Sequence, residues 1–198
     1  MLDFCHKSLA AKKWNDDLGC YIYGVHDLLL CHLRQKLSAE QLKNKHRSFI
    51  EKYRTYCNGD FSKLPNDNYS LSYIAHHLEQ AEMFEEFQSL FMNFDFLQTK
   101  INYTGISDLF IDLKKYRKYI TNNGDKTIES NLEDLEQFLE SQANTLVKHR
   151  LMKCLDLVQI ALDYQKEGYV KETAKELASK DRIPLIYRII QLIRKILI

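Results

Sequence analysis

The apolar positions of this chain change period once, and abruptly. Residues 20–25 (Cys-Tyr-Ile-Tyr-Gly-Val) form a short alternating run and read as a strand. The run stops at His26-Asp27, and from there apolar residues recur at helical spacing for most of the remaining sequence. A second run, residues 8–14, reads as a partner strand, with residues 15–19 (Asn-Asp-Asp-Leu-Gly) as the hairpin loop. A lone two-stranded hairpin is marginal in water, so this one needs something to pack on. Residues 1–7 read as the end of a helix. Asp27 suits the N-cap of the helix that follows, and His26 stands at its mouth, where backbone N–H groups and the helix dipole favour an anion.

Beyond Asp27 the pattern predicts helices throughout. One covers residues 27–36. Ser38 and Gln41 have capping-box spacing and open a second, which runs to about residue 57 and is stopped by Asn58-Gly59-Asp60. Residues 61–68, with Pro65, read as a loop. Leu71, Ile74, Ala75 and Leu78 mark the next face, and Phe84, Phe87, Phe91 and Phe94 mark another at 3-4-3 spacing. After a break at residues 102–105, Leu109, Phe110, Leu113, Tyr116 and Ile120 mark a helix ended by Asn122-Asn123-Gly124. Ile128, Leu132, Leu135, Phe138, Leu139 and Leu146 define a long helix with an acidic face. Leu155, Val158, Ala161 and Leu162 define one ending near Gly168, and a short helix covers residues 169–179. One apolar and one charged face per helix predicts an all-α bundle of seven to nine helices, with the small β-hairpin at its N-terminal end. Helix pairs of about 35–40 residues suggest a solenoid, but no repeated residue signature accompanies them.

Composition narrows the class. The chain has 198 residues, 45% hydrophobic and 28% charged, enough for one good core. Six Gly and two Pro favour long helices over a β-rich fold. A net charge of +1 supplies no basic field for nucleic acid. Five widely spaced cysteines without a C-x-x-C pair read as reduced thiols of a cytoplasmic protein. No signal peptide follows Met1, and no run reaches the roughly 20 apolar residues of a membrane span. Residues 182–198 differ from the rest: they hold no acid, and Ile186, Ile189, Ile193 and Leu197 lie opposite Arg188, Gln191 and Lys195. Three readings of this basic amphipathic tail stay open: a helix packed on the bundle or on another domain, a membrane-surface helix, or a non-native end.

Candidate chemistry is sparse. No G-x-x-x-x-G-K-[ST] or G-x-G-x-x-G motif occurs, so no recognised route to a nucleotide lies within the chain alone. His76-His77 are adjacent on a helix, about 100° apart, and cannot chelate one metal in the usual i, i+4 manner. Cys5-His6 and Cys31-His32 share that defect. Glu129, Glu133, Glu136 and Glu140 read as a solvated stripe rather than paired catalytic carboxylates. Lys43, Lys45, His46, Arg47, Lys52 and Arg54 read as a basic stretch with two alternatives: nucleic-acid contact, which no recognition element beside it supports, or pairing with acidic faces or a partner. No catalytic residue and no metal site is expected, and the chain is read as non-enzymatic.

An ordered set of segments carries a resemblance. Tyr23-Gly24-Val25-His26-Asp27-Leu28-Leu29 resembles the Met-His-Asp motif of signal-transducing nucleotide switches, with Val25 in the Met place. Residues 68–78 (Asn-Tyr-Ser-Leu-Ser-Tyr-Ile-Ala-His-His-Leu) and 87–100 resemble the larger helical domain of the apoptotic protease-activating factor family, the animal apoptosome scaffolds. The second of these segments ends in the aspartate–aromatic–x–x–lysine-like stretch Asp95 to Lys100. Residues 155–162 (Leu-Asp-Leu-Val-Gln-Ile-Ala-Leu) are similar to a later helix of that domain. Order and spacing agree over residues 2–180, and the resemblance is to an insect-like form of the scaffold.

The resemblance implies three segments: residues 1–34 as the end of a winged-helix domain, 35–181 as the helical domain, and 182–198 as the tail, which does not match. It implies that His26 contacts a phosphate of ADP held by a nucleotide-binding module absent from these residues. No cofactor is expected in this chain itself, with ADP or ATP (dATP) implied for a full-length parent. The implied partners are that module, WD-repeat propellers and a caspase-activating ring that assembles only in the full-length form, with no nucleic acid. The expected role is therefore a regulatory and linking fragment of an apoptosome scaffold, from a truncated product or a short isoform, with ADP binding absent or weak in isolation. The alternative is a stand-alone helical protein-interaction module that meets a membrane surface through its tail. A nucleic-acid binder descended from the winged helix ranks last.

Overall fold

Four of the nine α-helices among the described residues start at a short polar residue that caps them locally. In the computed structural model, which describes residues 10–15, 20–27, 31–32, 35–67 and 69–182, Ser38 caps α1 (Ala39–Tyr56) with a complete capping box: Gln41 N–H donates to Ser38 Oγ at 3.2 Å and Ser38 N–H to Gln41 Oε1 at 2.9 Å. Asp60 caps a single 3-10 turn, Phe61–Lys63. Asn93 caps α4 (Phe94–Tyr103), Asp125 caps α6 (Lys126–Ser141) and Asp156 caps α8 (Leu157–Asp163), each accepting from backbone N–H groups of the first turn. The other helices are α2 (Ser70–Gln80), α3 (Glu86–Phe91), α5 (Ile106–Ile120), α7 (Ala143–Leu151) and α9 (Tyr169–Leu177), followed by a π-helical turn, Ala178–Arg182. Stops are equally local. Asn58 and Gly59 after α1, and Asn122, Asn123 and Gly124 after α5, all adopt positive φ, which Asn and Gly tolerate best.

The nine helices between Ala39 and Leu177 form the all-α bundle expected from the periodicity. Helix α4 lies at its centre, packed on the 3-10 turn and on α2, α3, α5, α7 and α8. Its Phe96, Leu97 and Ile101 are buried with Phe87 and Phe91 of α3, Leu109, Leu113 and Tyr116 of α5, and Leu135, Phe138 and Leu139 of α6. Full burial of such side chains contributes about 1.5–3 kcal/mol each. The small hairpin is present as β1 (Ala10–Asn15) and β2 (Cys20–Val25), antiparallel, with Trp14 opposite Tyr21. The first two residues of the strand expected over 8–14 lie outside the described residues, and β1 runs one residue further, to Asn15. Trp14 meets Tyr21 edge-to-face at 5.0 Å, a pairing that stabilises a directly opposed position. Residues 1–9, the loop 16–19 and the tail 183–198 lie outside the described residues.

Three helix assignments needed correction. The phenylalanine row 84–94 is not one face: Phe84 precedes α3 and is 39% exposed, and Asn93 ends that run and starts α4. An Asn at the cap position outranks the spacing, because it satisfies two otherwise unpaired N–H groups, those of Asp95 and Phe96. The long acidic helix is two helices, α6 and α7, broken at Gln142, and Leu146 belongs to the second. The loop 61–68 contains the 3-10 turn.

Candidate functional site

His26 lies where the period change placed it. β2 ends at Val25, His26 is exposed and belongs to neither element, and Asp27 is already helical, as are Cys31, His32 and Gln35. Asp27 therefore sits inside the first turn rather than at the cap, where its carboxylate still complements the helix dipole. The exposed imidazole of His26 is thus presented at a helix start. Leu28 to Leu30 lie outside the described residues, so the junction is defined by its two ends.

The structure builds a second histidine site that the sequence did not reveal. His46 of α1 reaches across to α2, and its Nδ1 lies 2.7 Å from Nδ1 of His77. The other ring nitrogen of His77 lies 3.0 Å from the Tyr69 hydroxyl. Phe49 stacks on the His77 ring at 3.9 Å between centroids, and His76 stands 5.6 Å away. His77 is buried. Burial first, then the neighbouring His46 and His76, press its pKa down to about 4, so it is neutral at physiological pH. The partners are 31 residues apart, and only the α1–α2 packing joins them. Among the described residues, no group of three or more His, Cys, Asp or Glu side chains is arranged to hold a metal ion.

Two further residues of the basic stretch, Lys43 and Arg54, are paired at this interface. Lys43 pairs with Glu82, and Arg54 donates to Glu86 at 2.7 Å while lying 3.6 Å from Glu51. Tyr53 donates to Asp67. Burial works to raise the Asp67 pKa. The hydrogen bonds it accepts from the Tyr53 hydroxyl and the Ser70 and Tyr69 N–H groups prevail and hold it below the usual carboxylate range. The acidic stripe likewise finds a partner: Arg117 of α5 lies 2.6, 3.4 and 3.9 Å from Glu136, Glu133 and Glu129. These are structural pairings between helices, mostly at the surface, each contributing little on its own.

Two buried polar knots hold the frame. Lys100, at the end of the stretch quoted from α4, is completely buried, and its ammonium donates to Leu71 O at 2.8 Å and to Asp108 at 2.7 Å, with Asp112 at 2.9 Å. Burial pushes the Asp112 pKa up, and Lys100 opposes that shift. Asp134 of α6 accepts from the Val170 N–H at 3.0 Å, so it caps α9 from 36 residues away, and Lys166 pairs with it at 2.8 Å. Gly168 (φ 153°) makes this approach possible: a Cβ there would stand 2.7 Å from Asp134 Oδ2. No helix among the described residues is long and apolar enough to cross a membrane.

Comparison with known proteins gives this architecture its relatives. The family model described as the APAF-1 helical domain matches residues 42–181, and the chain belongs to that family. The match covers all of α2 to α9 and most of α1. The chain is similar to apoptotic protease-activating factor 1 of Danio rerio, 25% identical over 184 residues, and to that of Mus musculus, 24% identical over 181 residues. Each alignment covers 90% of this chain and 14% of the relative, so the chain spans about one seventh of the length of these curated relatives.

Proposed function

We propose that this chain is a non-enzymatic regulatory and connecting arm of an apoptosome-type scaffold that controls caspase activation in the cytoplasm. One observation carries the reading: the helical-domain match begins at residue 42, 15 residues after a strand–His26–Asp27–helix junction that resembles the Met-His-Asp motif of nucleotide switches. In this reading residues 1–34 are the end of a winged-helix domain, and the bundle is a lever between the nucleotide switch and sensor propellers outside these residues. Residues 182–198 are a tail beyond the matched domain.

His26 fits a contributing role toward ADP. Its ring is exposed and stands at a helix start, where N–H groups favour a phosphate oxygen. The base, the ribose and the remaining phosphate charge require residues of a nucleotide-binding module, so the latch is made from two domains. ADP bound in such a latch holds the scaffold closed, and exchange for ATP or dATP releases it.

The test joins the transcript to the purified product. The longest coding sequence that includes these 198 residues is expected to encode a phosphate loop upstream, and its product to retain ADP through purification. His26→Ala should release that ADP and raise caspase activation in a reconstituted extract. A coding sequence with no upstream phosphate loop overturns the proposal, and so does a His26→Ala protein that keeps its nucleotide.

A further inference from the structure

Helix α1 is attached differently from its neighbours. Of its 18 residues only Ile50 is fully buried, with Phe49 and Tyr53 packed beside it. The rest of its hold on the bundle is a row of polar contacts along one face. Lys43 meets Glu82 in the turn after α2, and His46 meets His77, with His76 and Tyr69 close by. Tyr53 meets Asp67, and Arg54 meets Glu86 of α3. At its C-terminal end the helix closes in Asn58 and Gly59, both at positive φ. Helices α2 to α9 share one continuous apolar core, to which α1 adds Ile50 with Phe49 and Tyr53 at its edge.

The histidine contact has a strict proton count. At 2.7 Å, one Nδ1 must donate and the other accept. A single extra proton fits on the pair, because His46 can carry both N–H groups while His77 Nδ1 accepts and His77 Nε2 donates to the Tyr69 oxygen. A second extra proton sets two N–H donors and two cations head to head, beside a third imidazole. We propose that this pair is an acid-labile clasp: double protonation of His46 and His77 undocks α1 from α2 while the α2–α9 bundle stays folded.

The sign follows from the geometry. The docked state binds fewer protons than the undocked one, so docking is complete at neutral pH and weakens as pH falls from about 6.5, the ordinary imidazole value. With His77 at about 4 when docked, the docking equilibrium falls about 30-fold between pH 7.5 and pH 5. Three carboxylates also face α1: Asp67 accepts from Tyr53, Glu82 pairs with Lys43 and Glu86 with Arg54. Asp67 is held below the usual carboxylate range by the hydrogen bonds it accepts, and the His46→Gln variant separates the imidazole response from any carboxylate one.

Hydrogen–deuterium exchange on the full chain tests this, with rates corrected for intrinsic pH dependence. Residues 39–57 should lose about 10- to 30-fold of their protection between pH 7.5 and pH 5, while peptides from α4 to α6 keep theirs. Cys57, buried at the C-terminal end of α1, gives a second readout. A disulfide reagent active in acid, mapped by mass spectrometry, should label it at pH 5 and spare it at pH 7.5. His46→Gln, which accepts from His77 in either protonation state, should flatten both responses. The proposal is overturned by an α1 that stays protected at pH 5, by loss of protection in α1 and the core together, or by a His46→Gln protein that responds as the wild type does. Should His46→Gln fail to dock at pH 7.5, the wild-type titration decides by itself: a midpoint below pH 4 overturns the clasp.

Discussion

Replacing Lys100 by Met should be among the most damaging single changes to the bundle. The ammonium is completely buried and answers three acceptors: Leu71 O at 2.8 Å, Asp108 at 2.7 Å and Asp112 at 2.9 Å. Met matches the length of the stem but removes the charge. Asp108 is about a third exposed and turns to water, whereas the Asp112 side chain, 12% exposed, is left as an unpaired carboxylate in the core. Breaking one side of such a buried pair costs about 3–5 kcal/mol. For a chain of this size that lowers the melting temperature by about 6–20 °C. The argument makes a second demand. Since the damage comes from the stranded acid, Lys100→Met with Asp112→Leu should recover most of the loss, because an apolar pair of similar volume is often neutral or better. The single variant should also regain part of its stability as pH falls and Asp112 takes up a proton, the state that burial already favours. Urea unfolding at pH 7.5 and pH 5, followed by far-ultraviolet circular dichroism, measures all three. A loss below about 1 kcal/mol, or a double variant no better than the single one, would refute the reasoning.

Three further outcomes are expected. Gly168→Ala should cost about 2–4 kcal/mol in thermal melts, because its Cβ would stand 2.7 Å from Asp134 Oδ2 and push away the carboxylate that caps α9. Asp67→Ala should cost about 1–2 kcal/mol at pH 7, since it removes the acceptor of the Ser70 and Tyr69 N–H groups at the start of α2. The wild-type contribution of Asp67 is present above the ordinary carboxylate range and is lost as pH falls through its lowered value, so the two melting curves should converge in acid. Ser38→Ala should cost about 1 kcal/mol and fray the first turn of α1, read as faster amide exchange at Gln41.

Much of this fold was legible because its punctuation is local. Ser38 with Gln41, Asn58-Gly59 and Asn122-Asn123-Gly124 act within a turn of themselves, and a one-dimensional reading can find them. Spacing failed where two helices abut without a loop. Phe91 and Phe94 keep helical register across Asn93, and Leu139 and Leu146 keep it across Gln142, so periodicity runs through both breaks. The capping Asn at position 93 was the available signal. The candidate site divided along the same line. His26 is marked by a change of period beside it and was found where that change put it. The His46–His77 contact joins residues 31 apart, and the Asp134 cap joins residues 36 apart. Neither leaves a trace in the spacing, because each depends on which helices become neighbours.

The capping of α9 also bears on the order of assembly. Every helix capped by its own neighbour, such as α4 or α6, has its first N–H groups satisfied as soon as the chain bends. Helix α9 follows Gly168, which offers no side chain, and borrows its carboxylate from α6. Nine residues are too few to hold a helix in water unaided. Its formation is therefore conditional on α6 being in place, and it acts as a completion signal for the bundle.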